Sequence, residues 1–440
     1  MRIAFKTFGC KANRNDTDSL YLEAVRRGFT PVEENEAADA YVINTCTVTE
    51  NADRDARHQA SRFKRQNQGA LVALVGCYAQ VGREELLKLP EVDFLIGTAN
   101  KFKTLDYFEE AFRTKTWKKD HVEEARGFLP EYFPGSRNAR ATIKIQDGCN
   151  YKCSFCIIPE ARGRSRSLSP DLVLKQVTEA NRQGFREIVL TGIHLAHYGW
   201  DHGTDLAKLL EKIFSVPNGP RVRVSTLDPF EIPDNLIELL TAESRLCPHF
   251  HIALQSGNDE ILRKMRRLYK AHEFTDVTAK LIRANPDTFI GVDVIVGFPG
   301  EGEAEFRDTV DLLEKSDWTK LHVFSFSARR GTVAASLKPV VPEKVIAERS
   351  QILREISQKR YQRFLESQLG KDKEVVFEKP AKGENSVWQG HTENYIPTLT
   401  LAPEGSTKLV TRLKLDKVSD EKIWTVPLLE NSTAPVSSLH

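Results

Sequence analysis

The sequence contains no long apolar run. No segment approaches the about 18 consecutive apolar residues of a membrane-spanning helix, and the N-terminal residues MRIAFKTFGC lack the apolar core of a secretion signal. A large excess of one charge is also missing, because 63 basic and 61 acidic side chains leave a formal net charge of +2. That balance neither indicates nor excludes a nucleic-acid partner. These absences predict a cytoplasmic protein without a membrane partner.

Cysteine is scarce and its number is odd, since the 440 residues include seven. A disulfide framework is uncommon in the cytoplasm and uses cysteines in pairs, so metal or redox chemistry is the better interpretation. Six of the seven fall into two groups of three, described below. The seventh, Cys247, precedes Pro248 and has no partner nearby in the sequence, so we expect it to be a buried structural residue.

Strands and helices alternate through the first part of the chain. RIAFKTFG, AYVINT and LVALVG are short β-rich runs, and each precedes a segment compatible with a helix. This order predicts a parallel sheet. A cysteine follows each run at once: Cys10, Cys46 and Cys77. A single such cysteine is usually a small buried side chain, but parallel strands end at one edge, where ligand sites lie, so three equivalent positions predict a shared site.

A second, longer alternation begins at Arg140, after a stretch between residues 100 and 136 whose Pro/Gly-rich end predicts a domain boundary. It contains six strand candidates: ATIKIQ, EIVLTGI, VRVSTL, FHIALQ, FIGVDVIVG and LHVFSFS. Six strands are too few for a closed eight-stranded barrel. We therefore predict an incomplete parallel (βα)6 barrel whose polar strand ends carry the active site.

The last part of the chain changes pattern again. Residues 342–369 carry apolar side chains at helical spacing and predict a long connecting helix. Five β-rich runs follow and predict a small antiparallel β-barrel, an architecture that often binds oligonucleotides. The tail ENSTAPVSSLH is predicted to be disordered. The fold class is thus α/β, with a parallel-sheet domain, an incomplete barrel and a small C-terminal β-barrel, at residues 1–115, 136–368 and 369–430.

A loop with C-x3-C-x2-C spacing follows the first barrel strand. A structural zinc site is closed by four protein ligands, but the next cysteine downstream is Cys247 and the nearest downstream histidine is His194. Three thiolates on one loop suit a [4Fe-4S] cluster whose fourth iron stays open to a substrate or cofactor. The loop cysteines are Cys149, Cys153 and Cys156.

This motif at the top of an incomplete parallel barrel, together with IVLTGIH and GVDVIVGFPGE, resembles the radical S-adenosylmethionine (SAM) enzymes. The resemblance implies that SAM chelates the open iron. It also implies that an electron from the cluster cleaves SAM to a 5'-deoxyadenosyl radical, which takes a hydrogen atom from an unactivated carbon.

Nearly the entire chain is similar to the methylthiotransferases, which combine an N-terminal domain with three spaced cysteines, a radical SAM barrel and a C-terminal TRAM barrel. The resemblance implies that Cys10, Cys46 and Cys77 hold a second [4Fe-4S] cluster, which carries the sulfur to be inserted. It further implies that two SAM molecules are used per turnover and that the cysteines of both groups are catalytic.

The segments TFGCKANRNDTD, NTCTVTENADRDARHQ and TGIHLAHYG resemble the branch that modifies N6-threonylcarbamoyladenosine (t6A) at position 37 of tRNA, which implies C2 of the base as the carbon that is modified. Other branches modify isopentenyladenosine in tRNA or an aspartate of a ribosomal protein, and both remain alternatives. So does a non-catalytic RNA-binding protein with structural zinc. The implied partners are the tRNA anticodon stem-loop, a sulfur source, and an electron donor such as flavodoxin or ferredoxin.

Five residues in the cysteine loop or at barrel strand ends are candidates for binding SAM. Phe155 is expected to pack near the adenine, and Gly192 to let the amino group of SAM approach closely. The other three are expected to contact hydroxyl or carboxylate groups of SAM: Ser225, Gln255 and Asp293.

Basic and imidazole side chains surround the same loop. Arginine suits phosphate, so three arginines after the cysteines are predicted to contact RNA: Arg162, Arg164 and Arg166. Three histidines lie close together, but no carboxylate stands near them at metal-ligand spacing. We interpret them as polar loop residues: His194, His197 and His202.

Overall fold

The computed structural model describes residues 1–124, 135–382, 384–403 and 405–427. In its first part, strands alternate with helices. The strands are β1 (Arg2–Thr7), β2 (Thr30–Val32), β3 (Ala40–Thr45), β4 (Leu71–Gly76), β5 (Phe94–Ile96) and β6 (Asp120–His121). The helices are α1 (Lys11–Arg26), α2 (Glu50–Gln66), α3 (Cys77–Val81), α4 (Arg83–Leu86) and α5 (Thr104–Thr114).

These strands form one sheet in the order β2-β1-β3-β4-β5-β6, and every pair is parallel. The predicted parallel sheet is confirmed. Strands β2, β5 and β6 were not predicted, because two or three residues are too few to show a periodicity. Alternate side chains of β3 pack on opposite faces, Ala40 and Val42 against α1 and α5, and Tyr41 and Ile43 against α2 and α3.

The second part holds seven strands of the predicted barrel, a short hairpin and seven helices. The strands are β7 (Ala141–Lys144), β8 (Gln146–Asp147), β9 (Arg166–Ser167), β10 (Glu187–Thr191), β11 (Arg221–Val224), β12 (Thr226–Leu227), β13 (His249–Gln255), β14 (Phe289–Val296) and β15 (Lys320–Ser325). The helices are α6 (Ile158–Arg162), α7 (Pro170–Arg182), α8 (Leu206–Phe214), α9 (Asp234–Ala242), α10 (Asp259–Lys264), α11 (Ala271–Ala284) and α12 (Glu303–Lys315).

Two parallel sheets, β11-β10-β7 and β12-β13-β14-β15, meet where Ser225 alone separates β11 from β12. They therefore form a curved wall with six strand positions, and β7 and β15 are its ends. The predicted incomplete barrel is confirmed. The hairpin β8-β9 flanks the cysteine loop and is antiparallel.

Side chains of the barrel strands alternate between a helix-facing core and an inner face. Ile188 and Leu190 of β10, like Val222 and Val224 of β11, pack in the main hydrophobic core. Because successive side chains in a strand point to opposite faces, the residues between them face the inside of the curved wall, here called the lumen. The charged and imidazole groups on this inner face include Lys144, Glu187, Arg223, His251, Asp293 and His322.

Helix α1 of the first part lies against β7, at the open side of the barrel. Asn15 Nδ2 donates to the carbonyl oxygen of Thr142, 2.7 Å away. Asp16 lies between Lys101 of the first part and Lys144 of β7, at 2.7 and 2.6 Å. An edge strand needs a covering element, and α1 supplies it.

The third part begins with the predicted long helix, α13 (Glu343–Gln368). Five strands follow: β16 (Asp372–Ala381), β17 (Glu384–Thr392), β18 (Pro397–Leu401), β19 (Val410–Ser419) and β20 (Lys422–Pro427). They close into a barrel in the order β16-β17-β18-β20-β19, which confirms the predicted architecture. Only β18 and β20 pair in parallel, because an odd number of strands cannot alternate in direction around a closed ring.

The last predicted domain, 369–430, extends past the described residues, and so does the tail predicted to be disordered. No helix in the described part of the chain combines the length and apolar character needed to cross a bilayer.

Candidate active site

The strand-end cysteines of the first sheet come together. Cys10 precedes α1, Cys46 follows β3, and Cys77 begins α3 directly after β4. A Cβ added to Gly9 would stand 2.5 Å from the Cβ of Cys46, so the chain before Cys10 lies directly against Cys46. The thiol of Cys46 also interacts electrostatically with those of Cys77 and Cys10. The predicted convergence at one sheet edge is therefore present, and these residues are called the N-terminal triad.

The second group of cysteines lies on the loop between β8 and α6 and is called the loop triad. The amide of Cys156 donates to the carbonyl oxygen of Cys153 at 3.1 Å, which tightens the loop. The thiol of Cys156 interacts electrostatically with both Cys153 and Cys149. All these cysteines are free, and so is Cys247, which is buried near Arg223.

Burial makes several of these thiols poor acids. It raises the pKa of Cys46 and of Cys156 to about 12, and it also raises the pKa of Cys153. A thiolate is the form that binds a metal. Buried thiols of this kind become thiolates when a cation replaces the proton, so the chemistry of both triads favours metal binding.

Buried cations stand beside both triads. Arg267 Nη1 donates to Cys153 Sγ at 3.3 Å, and His194 Nδ1 lies 3.7 Å from Cys149 Sγ. Burial alone would lower the pKa of His194, but hydrogen bonds with Asp228, Cys149 and Glu231 outweigh it and raise the pKa to about 11. The imidazole is therefore charged at neutral pH, which suits a neighbouring thiolate.

Arg162 is the buried cation beside the N-terminal triad. Its side chain is 1% exposed, and its guanidinium interacts electrostatically with Cys77 and Cys10. It donates to Asp147 at 2.9 Å and also to Asn13. The prediction that Arg162 contacts RNA is wrong, since its guanidinium lies in the interior between the N-terminal sheet and the cluster loop.

The other two predicted RNA contacts differ from each other. Arg166 is half-buried and donates to Asp147 at 3.2 Å. Arg164 is exposed. Arg164 has the surface position that suits a phosphate contact, and RNA contact of Arg164 and of Arg166 stays a prediction.

A cavity of about 230 Å³ lies beside the loop triad, between the first sheet and the barrel. Cys156 and three of the predicted SAM-binding residues line it: Phe155, Gln255 and Asp293. Val48 and Thr49 of the N-terminal part complete one wall. The cavity is largely apolar with a carboxylate and an amide, which is typical of a small-molecule site.

The remaining two predicted SAM contacts do not line this cavity. Gly192 packs on Gln146, and a Cβ there would lie 2.8 Å from Gln146 Oε1. That oxygen accepts hydrogen bonds from the amides of Ile193 and His194, so the structure gives Gly192 a packing role. Ser225 is buried, and its hydroxyl has no hydrogen-bond partner among the described residues. A SAM contact of either residue stays a prediction.

The sequence did not reveal the carboxylate that joins the histidines. Glu231 accepts from His194 Nε2 at 2.6 Å, and its other oxygen lies 3.1 Å from His197 Nε2. Interpreting His194 as an ordinary polar loop residue therefore missed its contact with Cys149. No local motif links residues 194 and 231, because α8, β11 and β12 lie between them.

Comparison with known proteins identifies the family. A family model described as "Radical SAM superfamily" matches residues 143–313, and one described as "Uncharacterized protein family UPF0004" matches residues 2–97. A threonylcarbamoyladenosine tRNA methylthiotransferase MtaB of Aquifex aeolicus (strain VF5) is 40% identical over 403 residues, which cover 90% of this chain and 96% of that protein. The chain belongs to the radical SAM methylthiotransferase family.

Other relatives agree with this assignment. An MtaB of Bacillus subtilis (strain 168) is 36% identical, over 94% of each chain. The tRNA-2-methylthio-N(6)-dimethylallyladenosine synthase of Thermotoga petrophila (strain ATCC BAA-488 / DSM 13995 / JCM 10881 / RKU-1) is 32% identical over 100% of each. Among solved structures, the radical SAM methyltransferase TsrM from Kitasatospora setae shares the fold, with a TM-score of 0.54 and 14% identity over 73% of this chain and 72% of that one.

This methylthiotransferase uses two [4Fe-4S] clusters and SAM as cofactors. The donor set fits them, because the described residues offer two separate groups of thiols, and each group has buried cations to balance the negative charge of a thiolate-bound cluster. The predicted enzyme class and cofactors are confirmed, and the non-catalytic zinc protein is no longer a competing interpretation.

Proposed function

We propose that this enzyme converts t6A at position 37 of tRNA to its 2-methylthio derivative. The observation that carries the proposal is the 40% identity over 90% of the chain with a protein named for that nucleoside. The synthase named for dimethylallyladenosine reaches 32%, which makes methylthiolation of that nucleoside the second candidate.

We propose specific roles for the described residues. The N-terminal triad holds the cluster that carries sulfur, and the loop triad holds the cluster that binds SAM. Phe155, Gln255 and Asp293 contact SAM in the cavity beside Cys156. Arg164 contacts the RNA backbone. The division into 1–115, 136–368 and 369–430 and the use of two SAM molecules per turnover belong to the same proposal.

The packing between the helices next to the two triads supports this assignment. Helix α3 begins with Cys77 and packs on α6, which follows Cys156. Thr98 Oγ1 donates to the carbonyl oxygen of Ala161 at 2.9 Å, across the same junction. When bound, the two clusters and SAM supply a carbon-centred radical and a sulfur donor. The chain's own contribution is to hold both at neighbouring positions facing one substrate.

The first prediction concerns the product. Anaerobically reconstituted enzyme is incubated with SAM, a reductant, sulfide as the sulfur source and an anticodon stem-loop RNA that carries t6A at position 37. The nucleosides are then analysed by mass spectrometry. We expect 2-methylthio-t6A. An otherwise identical RNA carrying isopentenyladenosine should give little product, and preferential reaction of that RNA would transfer the function to the second candidate.

Cysteine variants test the roles of the two triads in the same assay. Cys153→Ala should abolish SAM cleavage, whereas Cys46→Ala should retain SAM cleavage and lose the thiomethylated nucleoside. Cys247→Ala is the matched control, because Cys247 is buried outside both triads, and it should retain both. Product formation by Cys46→Ala would refute the assignment of the N-terminal triad.

A further inference from the structure

Lys11 directly follows Cys10, and its side chain is exposed to solvent at the lumen of the barrel. Its Nζ lies 5.8 Å from the ring centre of Tyr395, a residue of the C-terminal part. Burial first, and then nearby cations that include Lys11, lower the pKa of His249 on β13 and of His322 on β15. Groups from the radical SAM barrel and from the C-terminal part therefore lie around this ammonium.

The neighbouring cations already have carboxylate partners. Arg140 Nε lies 2.7 Å from Glu378, and Arg223 Nε lies 2.8 Å from Glu187. In the part of the chain that the structure describes, no carboxylate lies within salt-bridge distance of Lys11 Nζ, so its charge is available to a ligand in the lumen.

Lys11 is also adjacent to the N-terminal triad, because it directly follows Cys10. It is bonded to Cys10 at one end of the lumen, and Asp293 joins the lumen to the cavity beside Cys156. Asp293 Oδ1 accepts from His251 Nε2 at 2.7 Å on the same inner face. A nucleoside that enters the lumen and approaches Cys10 therefore comes close to Lys11.

The substrate of the proposed function brings the matching charge. In t6A the threonyl group is attached through its nitrogen, so its carboxyl group is free and ionised at neutral pH. A dimethylallyl group carries no charge. An ammonium and a carboxylate in a partly enclosed site form a strong, charge-assisted hydrogen bond.

We propose that Lys11 binds the threonyl carboxylate of t6A and thereby selects this nucleoside over adenosines with an uncharged N6 substituent. This inference rests on the proposed function. Selection has two components: the pair stabilises the correct complex, and a neutral substituent leaves the ammonium desolvated without a partner, which disfavours the wrong complex.

The test compares two stem-loop RNAs that differ only in charge, one with t6A at position 37 and one with its threonyl methyl ester. Wild-type enzyme should show a KM for the ester about tenfold to hundredfold higher than for the acid. Lys11→Met, neutral and similar in length, should raise the KM for the acid to that of the ester. Lys11→Arg should restore most of the preference. The loss of the ion pair should change KM and not kcat, because the carboxylate does not take part in the reaction.

The outcomes separate the two proposals. If wild-type enzyme modifies neither RNA, the proposed function fails. If it modifies t6A RNA and Lys11→Met keeps the same preference for the acid over the ester, the role of Lys11 is wrong while the proposed function stands. Iron content of each variant shows whether the neighbouring Cys10 still binds its cluster.

A second measurement uses only the wild-type enzyme, so it remains valid even if Lys11→Met loses iron. A carbodiimide couples an amine to a carboxylate with which it is in contact. Treating the wild-type complex with t6A RNA should produce an amide between the threonyl carboxyl group and Lys11, detected by peptide mass spectrometry. An adduct at a different lysine, or none under conditions where the RNA is bound, would overturn the inference.

Discussion

Arg162 and Arg164 are two residues apart in the sequence, and their surroundings are opposite. Arg162 is buried between Asp147, Asn13 and the N-terminal triad, while Arg164 is exposed. Both fit the same sequence pattern of arginines after a cluster loop. The difference arises because α6 packs on α3, which encloses Arg162 at the end of α6 and leaves the next turn of chain outside.

Replacing Arg162 with Met should lower the free energy of unfolding of the apoprotein by about 3 kcal/mol, because the buried carboxylate of Asp147 then has less compensating charge. Asp147 keeps Lys144 and Arg166, which limits the loss. Arg164→Met is the matched control and should change stability by less than about 0.5 kcal/mol.

In RNA binding, the larger effect should come from Arg164→Met and not from Arg162→Met. Arg164→Met should weaken binding of the stem-loop and reduce the salt dependence by about one phosphate contact. Equal stability of the two variants in thermal scans would contradict the burial of Arg162, and unchanged salt dependence in Arg164→Met would assign RNA contact to another surface.

Helix α1 links the sheet, the barrel and the N-terminal triad. It starts after Cys10, places Lys11 at the lumen, and carries Asn15 and Asp16 against β7. Burial would raise the pKa of Asp16, but Lys101 and Lys144 outweigh it and the pKa is lowered. In Asp18, two residues later, burial prevails over the nearby arginines and the pKa is raised.

Asp16→Asn should therefore destabilise the protein by about 3–5 kcal/mol. The buried ammonium of Lys101 loses its carboxylate partner, and Lys144 keeps only Asp147. Asp18→Asn should be nearly neutral, within about 0.5 kcal/mol, because burial disfavours the charged form of Asp18. Differential scanning calorimetry of the apoproteins measures both. Similar losses in the two variants would mean that α1 is held by shape alone.

The C-terminal barrel is attached to the radical SAM barrel through charged groups. Arg221 and Arg223 donate to carbonyl oxygens of β16, β17 and the turn after β17, at 2.9 to 3.3 Å. Asp287 accepts from Lys371 at 2.5 Å and from Lys373 at 2.8 Å. Burial would raise the pKa of Asp287, but these lysines outweigh it and lower the pKa from 3.8 to about 2.

A lowered carboxyl pKa stabilises the folded protein at pH values above the unfolded pKa, and the contribution is lost as pH falls through the folded pKa. Asp287 should thus contribute about 1–2 kcal/mol at pH 5, after allowing for its partial exposure, and progressively less between pH 4 and pH 2. Calorimetry of Asp287→Asn should show a loss at pH 5 that shrinks as pH is lowered through this range.

The control is an exposed ion pair between the same two barrels. Glu421 pairs with Lys320 at 2.7 Å, with both side chains substantially exposed, so Glu421→Gln should cost no more than about 0.5 kcal/mol. A difference between wild type and Asp287→Asn that does not depend on pH would rule out the proposed electrostatic docking.

Much of the fold and part of the site could be predicted from local pattern. Strands β1, β3 and β4 are short β-rich runs, and the segment after Cys46 that is compatible with a helix forms α2. The N-terminal triad follows from a topological rule, because residues just after parallel strands share one edge. The loop triad needs no tertiary information, since its cysteines lie within eight residues of one another.

The sequence by itself determined which cysteines group together, the alternation of the longer strands with helices, and the family, because these depend on residue type and spacing along the chain. Only the tertiary structure decided that Arg162 is interior, that Glu231 joins His194, and that Lys11 reaches the lumen without a carboxylate partner among the described residues. Those facts depend on how elements far apart in the chain pack together, and packing determines which charges are buried, paired or available.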